Sequence, residues 1–151
     1  MLELVTVMVI AGVLAAVAIP RLVGRTTFDT RGYADQVRAA LQFAQSVAVA
    51  QRRNVCASFA ATGLTSMTRA GAEGAGTPCA TPVNNPTTGA AFALPAPSGV
   101  SITSPPVTVI FDALGQSVDA AGTPLPGTTT VTVAGNFTTA ITVAGTTGYV
   151  Q

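Results

Sequence analysis

The chain has 151 residues, of which only 9% are charged, against roughly 25% in an average soluble domain. All seven basic residues are arginines, six acidic residues oppose them, and histidine is absent. The absence of histidine excludes imidazole-based acid–base catalysis, a Ser-His-Asp triad and a histidine-bearing zinc site. The net charge of +1 gives no basic surplus for an ordinary duplex-DNA binder. An apolar content of 48% also argues against a disordered chain.

Residues 4–19 form an apolar run in which Thr6 is the one polar member. As a helix this run would be about 24 Å long, and it predicts a hydrophobic helix over residues 1–20 that can reside in a membrane. A soluble domain offers no surroundings for a helix that is apolar on every face. Two alternatives remain open. A secretory signal peptide would have a basic leading region, which is missing here, and a plain membrane anchor does not explain Glu3.

Glu3 places a carboxylate at the start of the apolar run. Such a charge costs about 2.5–3.5 kcal/mol at the centre of a bilayer and less near its surface. No basic side chain lies within reach on the same helix, so its partner is a lipid head group, interfacial water or another chain. Gly12 and Pro20 weaken helical structure at the two ends of the stretch between them. That stretch is expected to unwind where another environment offers hydrogen-bond partners to its backbone N–H and C=O groups. The alternative is a mild kink at Pro20.

Residues 1–21, which begin Met-Leu-Glu-Leu and close Ala-Ile-Pro-Arg, closely resemble the N-terminal signature of mature type IV pilins and type II secretion pseudopilins. The resemblance implies cleavage by a prepilin peptidase, methylation of the new N-terminus and use of an assembly platform. It implies that the helices, Leu4 among them, pack as a filament core, and that Glu3 pairs with the N-terminal amine of a neighbouring subunit. It also implies that the stretch from Gly12 to Pro20 melts during assembly. The family places its acid fifth in the mature chain, whereas it is third here.

The chain after Pro20 predicts a second, amphipathic helix over residues 21–53. Its apolar residues recur at helical spacing and form one stripe: Tyr33, Val37, Leu41, Ala44 and Ala48. This stripe is expected to pack on a β-sheet. Gly24 and Gly32 predict a bend or break between Pro20 and Tyr33.

Residues 54–151 predict an antiparallel β domain, because short β-like runs alternate there with Gly, Pro, Asn and Asp. The strongest signal is a hairpin with strands at 129–134 and 137–143 and a two-residue turn at Gly135 and Asn136. Further strands are expected at residues 100–103, 107–111, 118 and 148–151, with turns at 105–106 and at Gly115. The whole chain therefore predicts an α+β, pilin-like fold, with a long N-terminal helix, hydrophobic in its first half, packed on a small antiparallel sheet.

Three further segments, residues 41–54, 111–115 and 147–151, resemble the subfamily of the minor pseudopilin GspH and FimT-like proteins. Some FimT-like members take up DNA through arginines in a closing Gly-Arg-x-Arg motif. Tyr149 and Gln151 stand at the matching positions and carry no charge, so DNA binding is not expected here. The partners that the resemblance implies are copies of the same chain or other pilins and pseudopilins, with the inner membrane before assembly.

Cys56 and Cys79 are the two thiols of the chain. An even pair in an extracytoplasmic protein indicates a disulfide, which would close a loop of about 24 residues and stabilise the fold by roughly 3.4 kcal/mol. Their spacing does not fit a redox Cys-x-x-Cys motif, and zinc would need further ligands. Residues 70–99 are rich in Ala, Gly, Pro and Thr, and they predict an exposed excursion from the domain. This excursion is either a solvated loop without a specific role or a surface for a partner or a glycan.

Asp112 and Asp119 are a candidate pair for acid–base catalysis or calcium binding, but they flank a turn and lack a third acidic neighbour. This placement favours turn capping. Asn136 begins an N-glycosylation sequon that overlaps the hairpin turn. No residues predict a catalytic site, a metal site or a cofactor, and the chain is not expected to be an enzyme.

Together these patterns predict a structural pilin subunit that polymerises into a type IV pilus or pilus-like filament through its hydrophobic N-terminal helix. Its expected location is the bacterial inner membrane before assembly, then an extracellular pilus or a periplasmic pseudopilus. Three alternatives remain: an initiating or tip subunit of a type II secretion pseudopilus, a DNA-capturing minor pilin, and a membrane-anchored enzyme.

Overall fold

Two consecutive helices open the fold. The computed structural model describes residues 2–23, 25–71, 79–103 and 107–151, apart from the side chains of residues 16–27. Helix α1 spans Leu2–Val23 and helix α2 spans Arg25–Gln51. Helix α2 continues through Gly32, because the roughly 1 kcal/mol that a helical glycine costs is small beside the packing of the buried residues around it. No break therefore occurs at Gly32, and Gly24, the other residue on which the predicted bend or break depends, lies outside the described residues.

The described part of the chain contains nine strands in two antiparallel sheets. The strands are β1 Val55–Ala60, β2 Gly63–Arg69, β3 Thr81–Pro82, β4 Leu94–Pro95, β5 Ser101–Ile102, β6 Thr108–Phe111, β7 Ser117–Val118, β8 Thr128–Ala134 and β9 Thr138–Ala144. The first sheet has the order β3-β2-β1-β6-β7, with β4 also paired to β2, and the second has the order β5-β8-β9. The α+β prediction is confirmed, and the runs predicted at 100–103, 107–111 and 118 contain β5, β6 and part of β7.

The apolar stripe of α2 forms the centre of the core, as its spacing predicts. Tyr33 is 2% exposed, and the other four members, Val37, Leu41, Ala44 and Ala48, are fully buried. Strands of both sheets contact α2, and their inward side chains, such as Phe111 and Ile141, complete the same core. Burying each large apolar side chain contributes about 1.5–3 kcal/mol, so α2 is held mainly by the sheets rather than by its own helical propensity.

The hairpin of β8 and β9 confirms the strongest strand prediction and corrects its turn. Ala134 pairs with Thr138, so residues 135–137 form a three-residue loop instead of a two-residue turn. The added residue is Phe137, whose ring lies 5.5 Å from the guanidinium carbon of Arg31 on α2. This cation–π contact links the tip of the hairpin to the amino-terminal half of α2, a partner that the local sequence does not show.

The predicted excursion at 70–99 is only partly exposed. Val83 is buried, and its amide donates to the carbonyl oxygen of Met67 at 2.9 Å, while the amide of Met67 donates to the carbonyl oxygen of Phe92 at 3.1 Å. The described part of this segment therefore runs along the edge of β2 and shields it. Residues 72–78 of the excursion, and the turn predicted at 105–106, lie outside the described residues.

The strand predicted at 148–151 is reduced to a single bridge beside β9. Val150 pairs with Val143, and Thr142 and Gln151 exchange two backbone hydrogen bonds of 2.9 and 3.0 Å. Residues 149–151 are thus hydrogen-bonded to β9 of the second sheet, although they do not form a full strand.

The buried phenol of Tyr33 is expected to make the free energy of unfolding depend on pH. Its hydroxyl donates to the carbonyl oxygen of Leu94 at 3.0 Å, and burial raises the pKa of this phenol above its ordinary value of 10.0. Since the unfolded chain gives up this proton more readily than the folded one, the free energy of unfolding is expected to fall as the pH rises above about 10. Urea unfolding at about pH 7 and pH 11 measures this slope. Tyr33→Phe should lose about 1 kcal/mol at neutral pH and should lack the Tyr33 part of the alkaline slope; an identical slope would contradict the assignment.

Candidate assembly surface

Helix α1 presents uncovered apolar side chains on every face. Nine large apolar residues between positions 2 and 14 are 60–83% exposed: Leu2, Leu4, Val5, Val7, Met8, Val9, Ile10, Val13 and Leu14. Fully burying one such side chain is worth about 1.5–3 kcal/mol. Helix α1 therefore gains stability wherever another apolar surface covers it.

Within the described residues, the structure contains no helix with both the length and the apolar character needed to cross a membrane. The transmembrane helix predicted for residues 1–20 is thus not supported by the structure.

The four residues predicted to act in assembly lie on α1. Glu3 lies in the first turn, and its carbonyl oxygen accepts a hydrogen bond from Oγ1 of Thr6 at 2.9 Å. No ion pair of its carboxylate is found among the described residues. Leu4 is 64% exposed, and a Cβ added to Gly12 would meet nothing within 4 Å. The backbone from Gly12 through Pro20 is helical in the single chain, and its unwinding in a fibre remains a prediction.

Gln45 joins three segments that lie far apart in the sequence. Its Nε2 donates to the carbonyl oxygens of Gly115 at 2.9 Å and Thr147 at 3.1 Å. Gly148 has a φ of +64°, a backbone conformation that favours glycine. A Cβ added to Gly148 would also overlap the carbonyl of Gly115, so a larger residue does not fit at this position. These residues belong to the segments that carry the subfamily resemblance, at 41–54, 111–115 and 147–151. The structure therefore brings the three separate motifs together around one side chain.

Gln45→Ala is expected to lower the free energy of unfolding by about 1–3 kcal/mol, because it leaves two carbonyl oxygens without their donor. Gln42→Ala is the matched control, since Gln42 lies on the exposed face of the same helix and should change stability by less than about 0.5 kcal/mol. Urea unfolding of the two variants gives the comparison. Equal effects would show that the hydrogen bonds of Gln45 add nothing to stability.

Asp112 and Asp119 cap two turns of the same type, as the sequence favours. In both turns one carboxylate oxygen accepts hydrogen bonds from the amides two and four residues later, at 2.9 and 2.8 Å. Gly115 and Gly122 close the turns with φ values of 81° and 84°, which favour glycine. The structure, as far as it describes the chain, contains no group of three or more His, Cys, Asp or Glu residues that could hold a metal ion.

The predicted disulfide is present. Cys56, in β1, is bonded to Cys79, and their Cα atoms are 6.0 Å apart. Cys56 packs in a small cluster with Ile110 and Val118. Arg53 donates to the carbonyl oxygen of Gly71 at 2.7 Å, so this hydrogen bond holds the chain at Gly71 and the disulfide holds it at Cys79.

An apolar helix with uncovered side chains, followed by an amphipathic helix packed on small antiparallel sheets, defines the pilin-like class of proteins. The family model for the type II transport protein GspH matches residues 33–147, and because this is more than half of the chain, the protein belongs to the GspH family. The search of curated proteins found no match, and neither did the search of solved structures. Membership makes the protein a type II secretion pseudopilin, a component of the periplasmic pseudopilus. The match begins within α2, so it leaves the roles of Glu3, Leu4, Gly12 and Pro20 as predictions.

Proposed function

We propose that this pseudopilin is a structural subunit that joins a pilus-like filament by burying α1 among the α1 helices of its neighbours. The observation that carries the proposal is the exposure of the nine large apolar side chains of α1. The inner membrane would supply apolar surroundings before assembly, and neighbouring helices would supply them afterwards. The proposed role is structural rather than enzymatic.

The energetics of burial favour many neighbours over one. Nine side chains, each worth about 1.5–3 kcal/mol when fully buried, outweigh the roughly 4–15 kcal/mol that association costs only if most of their surface is covered. One flanking helix covers one face of α1, whereas a bundle of helices covers all faces. Exposure on every face therefore supports a multi-helix filament core over a simple dimer.

Glu3 is proposed to set the stagger between neighbouring subunits. A carboxylate in apolar surroundings is stable only with a partner of opposite charge, and the described residues of its own chain provide no such partner. The N-terminal amine of a neighbouring subunit is the proposed partner. Pairing of these two groups would fix how far one helix is displaced along the next.

The subunit has two candidate positions in the filament, along the shaft or at one end. The GspH family match favours a periplasmic pseudopilus over an extracellular pilus, and it supports an initiating or tip subunit as the second candidate beside a shaft subunit. The proposed partners are copies of this chain or other pseudopilins, after processing by a prepilin peptidase and delivery through an assembly platform. We propose no DNA-binding role, because Tyr149 and Gln151 are exposed but uncharged.

Immunogold electron microscopy of purified filaments tests the proposal. Label along the whole length would support a shaft subunit, and label at one end would support the initiating or tip subunit. A chain that stays in the membrane fraction and is absent from every filament would contradict both versions.

A further inference from the structure

The amino-terminal half of α2 borders an apolar groove that contains one acidic residue. A cavity of about 410 Å³ lies between α2 and the segment that includes β4, with Phe28, Tyr33, Pro95 and Pro97 in its walls and Asp29 as its charged residue. The Phe28 side chain is 80% exposed. Asp29 is exposed and forms no ion pair with any described residue. We name this site the amino-end groove.

The carboxyl end of α2 carries an apolar patch. Val49, Leu114 and Tyr149 are 47%, 78% and 63% exposed, and with Phe28 they are the exposed large apolar side chains of the described chain outside α1. The chain positions that carry them lie close together, because the glycine after Leu114 is near the side chain of Val49 and its carbonyl is near the glycine before Tyr149. We name these three residues the carboxyl-end patch. Uncovered apolar side chains of the domain thus lie at the two ends of one helix.

Arg52 adds a positive charge beside the carboxyl-end patch, three residues after Val49. Its φ of 51° is a conformation that helix ends usually give to glycine, and the amide of Arg53 closes the helix end on the carbonyl oxygen of Ala48 at 3.2 Å. An arginine is less stable than a glycine in this left-handed conformation, which indicates that the side chain of Arg52 has a function. Arg52 is exposed and forms no ion pair within the described ranges.

We propose that the amino-end groove of one copy binds the carboxyl-end patch of a second copy, with Asp29 facing Arg52. The inference rests on the proposed function, because it adds a contact between the domains of subunits whose α1 helices share a core. The groove and the patch are complementary: each is apolar, the groove contains the acidic Asp29, and the basic Arg52 lies beside the patch. The apolar contacts supply most of the affinity, and the ion pair fixes the register and the choice of partner.

The spacing of the two surfaces suits a polymer. Arg52 follows Asp29 by 23 residues on and just beyond α2, which separates them by about 34 Å along the helix axis. They therefore cannot meet within one chain. A contact between two different surfaces of identical subunits is head-to-tail, and it repeats into an open helical filament unless the rotation closes a ring.

Exchange of the two charges in the full chain tests the pairing. Asp29→Arg and Arg52→Asp should each lower the yield of filaments about tenfold, because each places like charges opposite one another. The double variant should recover most of the yield, because the pair forms again with its charges exchanged. Asp35→Arg is the matched control, since it makes the same charge change at an exposed position of α2 outside the groove, and it should assemble like the wild type.

Substitutions of the apolar contacts provide a second measurement. Phe28→Gln and Leu114→Gln each remove one exposed apolar side chain and should also lower the yield, with an unchanged circular dichroism spectrum. Wild-type yield from both single charge variants would overturn the domain contact while leaving the α1-driven filament intact. Loss in both single variants without recovery in the double variant would overturn it as well, because the opposing surface would then belong to a different protein. A wild-type chain that forms no filaments of its own would contradict this contact and the shaft version of the proposed function together.

Discussion

Glu3→Gln is expected to reduce filament formation at least tenfold while the globular part stays folded. Glutamine keeps the size of the side chain but removes the charge that the neighbour's amine would meet. An amine left unpaired in an apolar core costs several kcal/mol, which corresponds to more than about tenfold in an association constant. The measurement is the amount of chain recovered in the sheared filament fraction, together with the urea midpoint of the same variant.

Asp35→Asn is the matched control for this prediction. It also neutralises one carboxylate on a helix, but the side chain of Asp35 is 76% exposed and lies 3.8 Å from Arg38 in a surface ion pair. Such pairs contribute about 0–1 kcal/mol, so the filament yield should not change. Wild-type yield from Glu3→Gln would defeat the proposed role of the acid, and equal losses from both variants would point to a general effect of charge.

Replacement of Cys56 and Cys79 by serine together is expected to lower the free energy of unfolding by about 3 kcal/mol. The disulfide closes a sequence separation of 23 residues, and the glycines in this loop give the open chain many conformations to lose. For a domain of this size, the loss corresponds to a decrease of roughly 6–12 °C in Tm. Urea unfolding should also show a larger m value, because the unfolded state without the cross-link exposes more surface.

Reduction of the disulfide in the wild-type chain separates the bond itself from the serine substitutions. A reductant should lower the urea midpoint of the wild type to nearly that of the double serine variant, and it should not affect the variant. Unchanged stability in the variant would show that packing and the hydrogen bond from Arg53 hold the loop without the bond.

The sequence predicts best those features whose signals are local. The spacing of the α2 stripe predicts which of its faces is buried, and the alternation of residues 129–143 predicts the β8–β9 hairpin. The lack of a third acidic neighbour and the nearby turn at Gly115 favour turn capping by Asp112 and Asp119, and the structure gives each of them its own turn. The apolar run predicts the exposed surface of α1, because no soluble core can cover all of its faces. The parts that Glu3, Leu4, Gly12 and Pro20 play in assembly depend on other subunits and stay predictions.

Features that depend on distant partners could not be predicted in the same way. Gln45 has the spacing of a polar-face residue, and the two carbonyls that it binds are 70 and 102 residues away. Phe137 lies in the hairpin loop, where its ring contacts Arg31 on α2, a residue more than 100 positions earlier. Val83 lies in a segment with a loop-like composition, yet it is buried because that segment runs beside β2. In each case a tertiary contact outweighs the local preference.

The long burial of α2 has a mechanical consequence. Its stripe, from Tyr33 to Ala48, is anchored between both sheets, while the first helix precedes it in the chain. Tension applied along the axis of α2 from its amino end would therefore load the stripe contacts together, because all of them lie on the same helix and are buried against the same core.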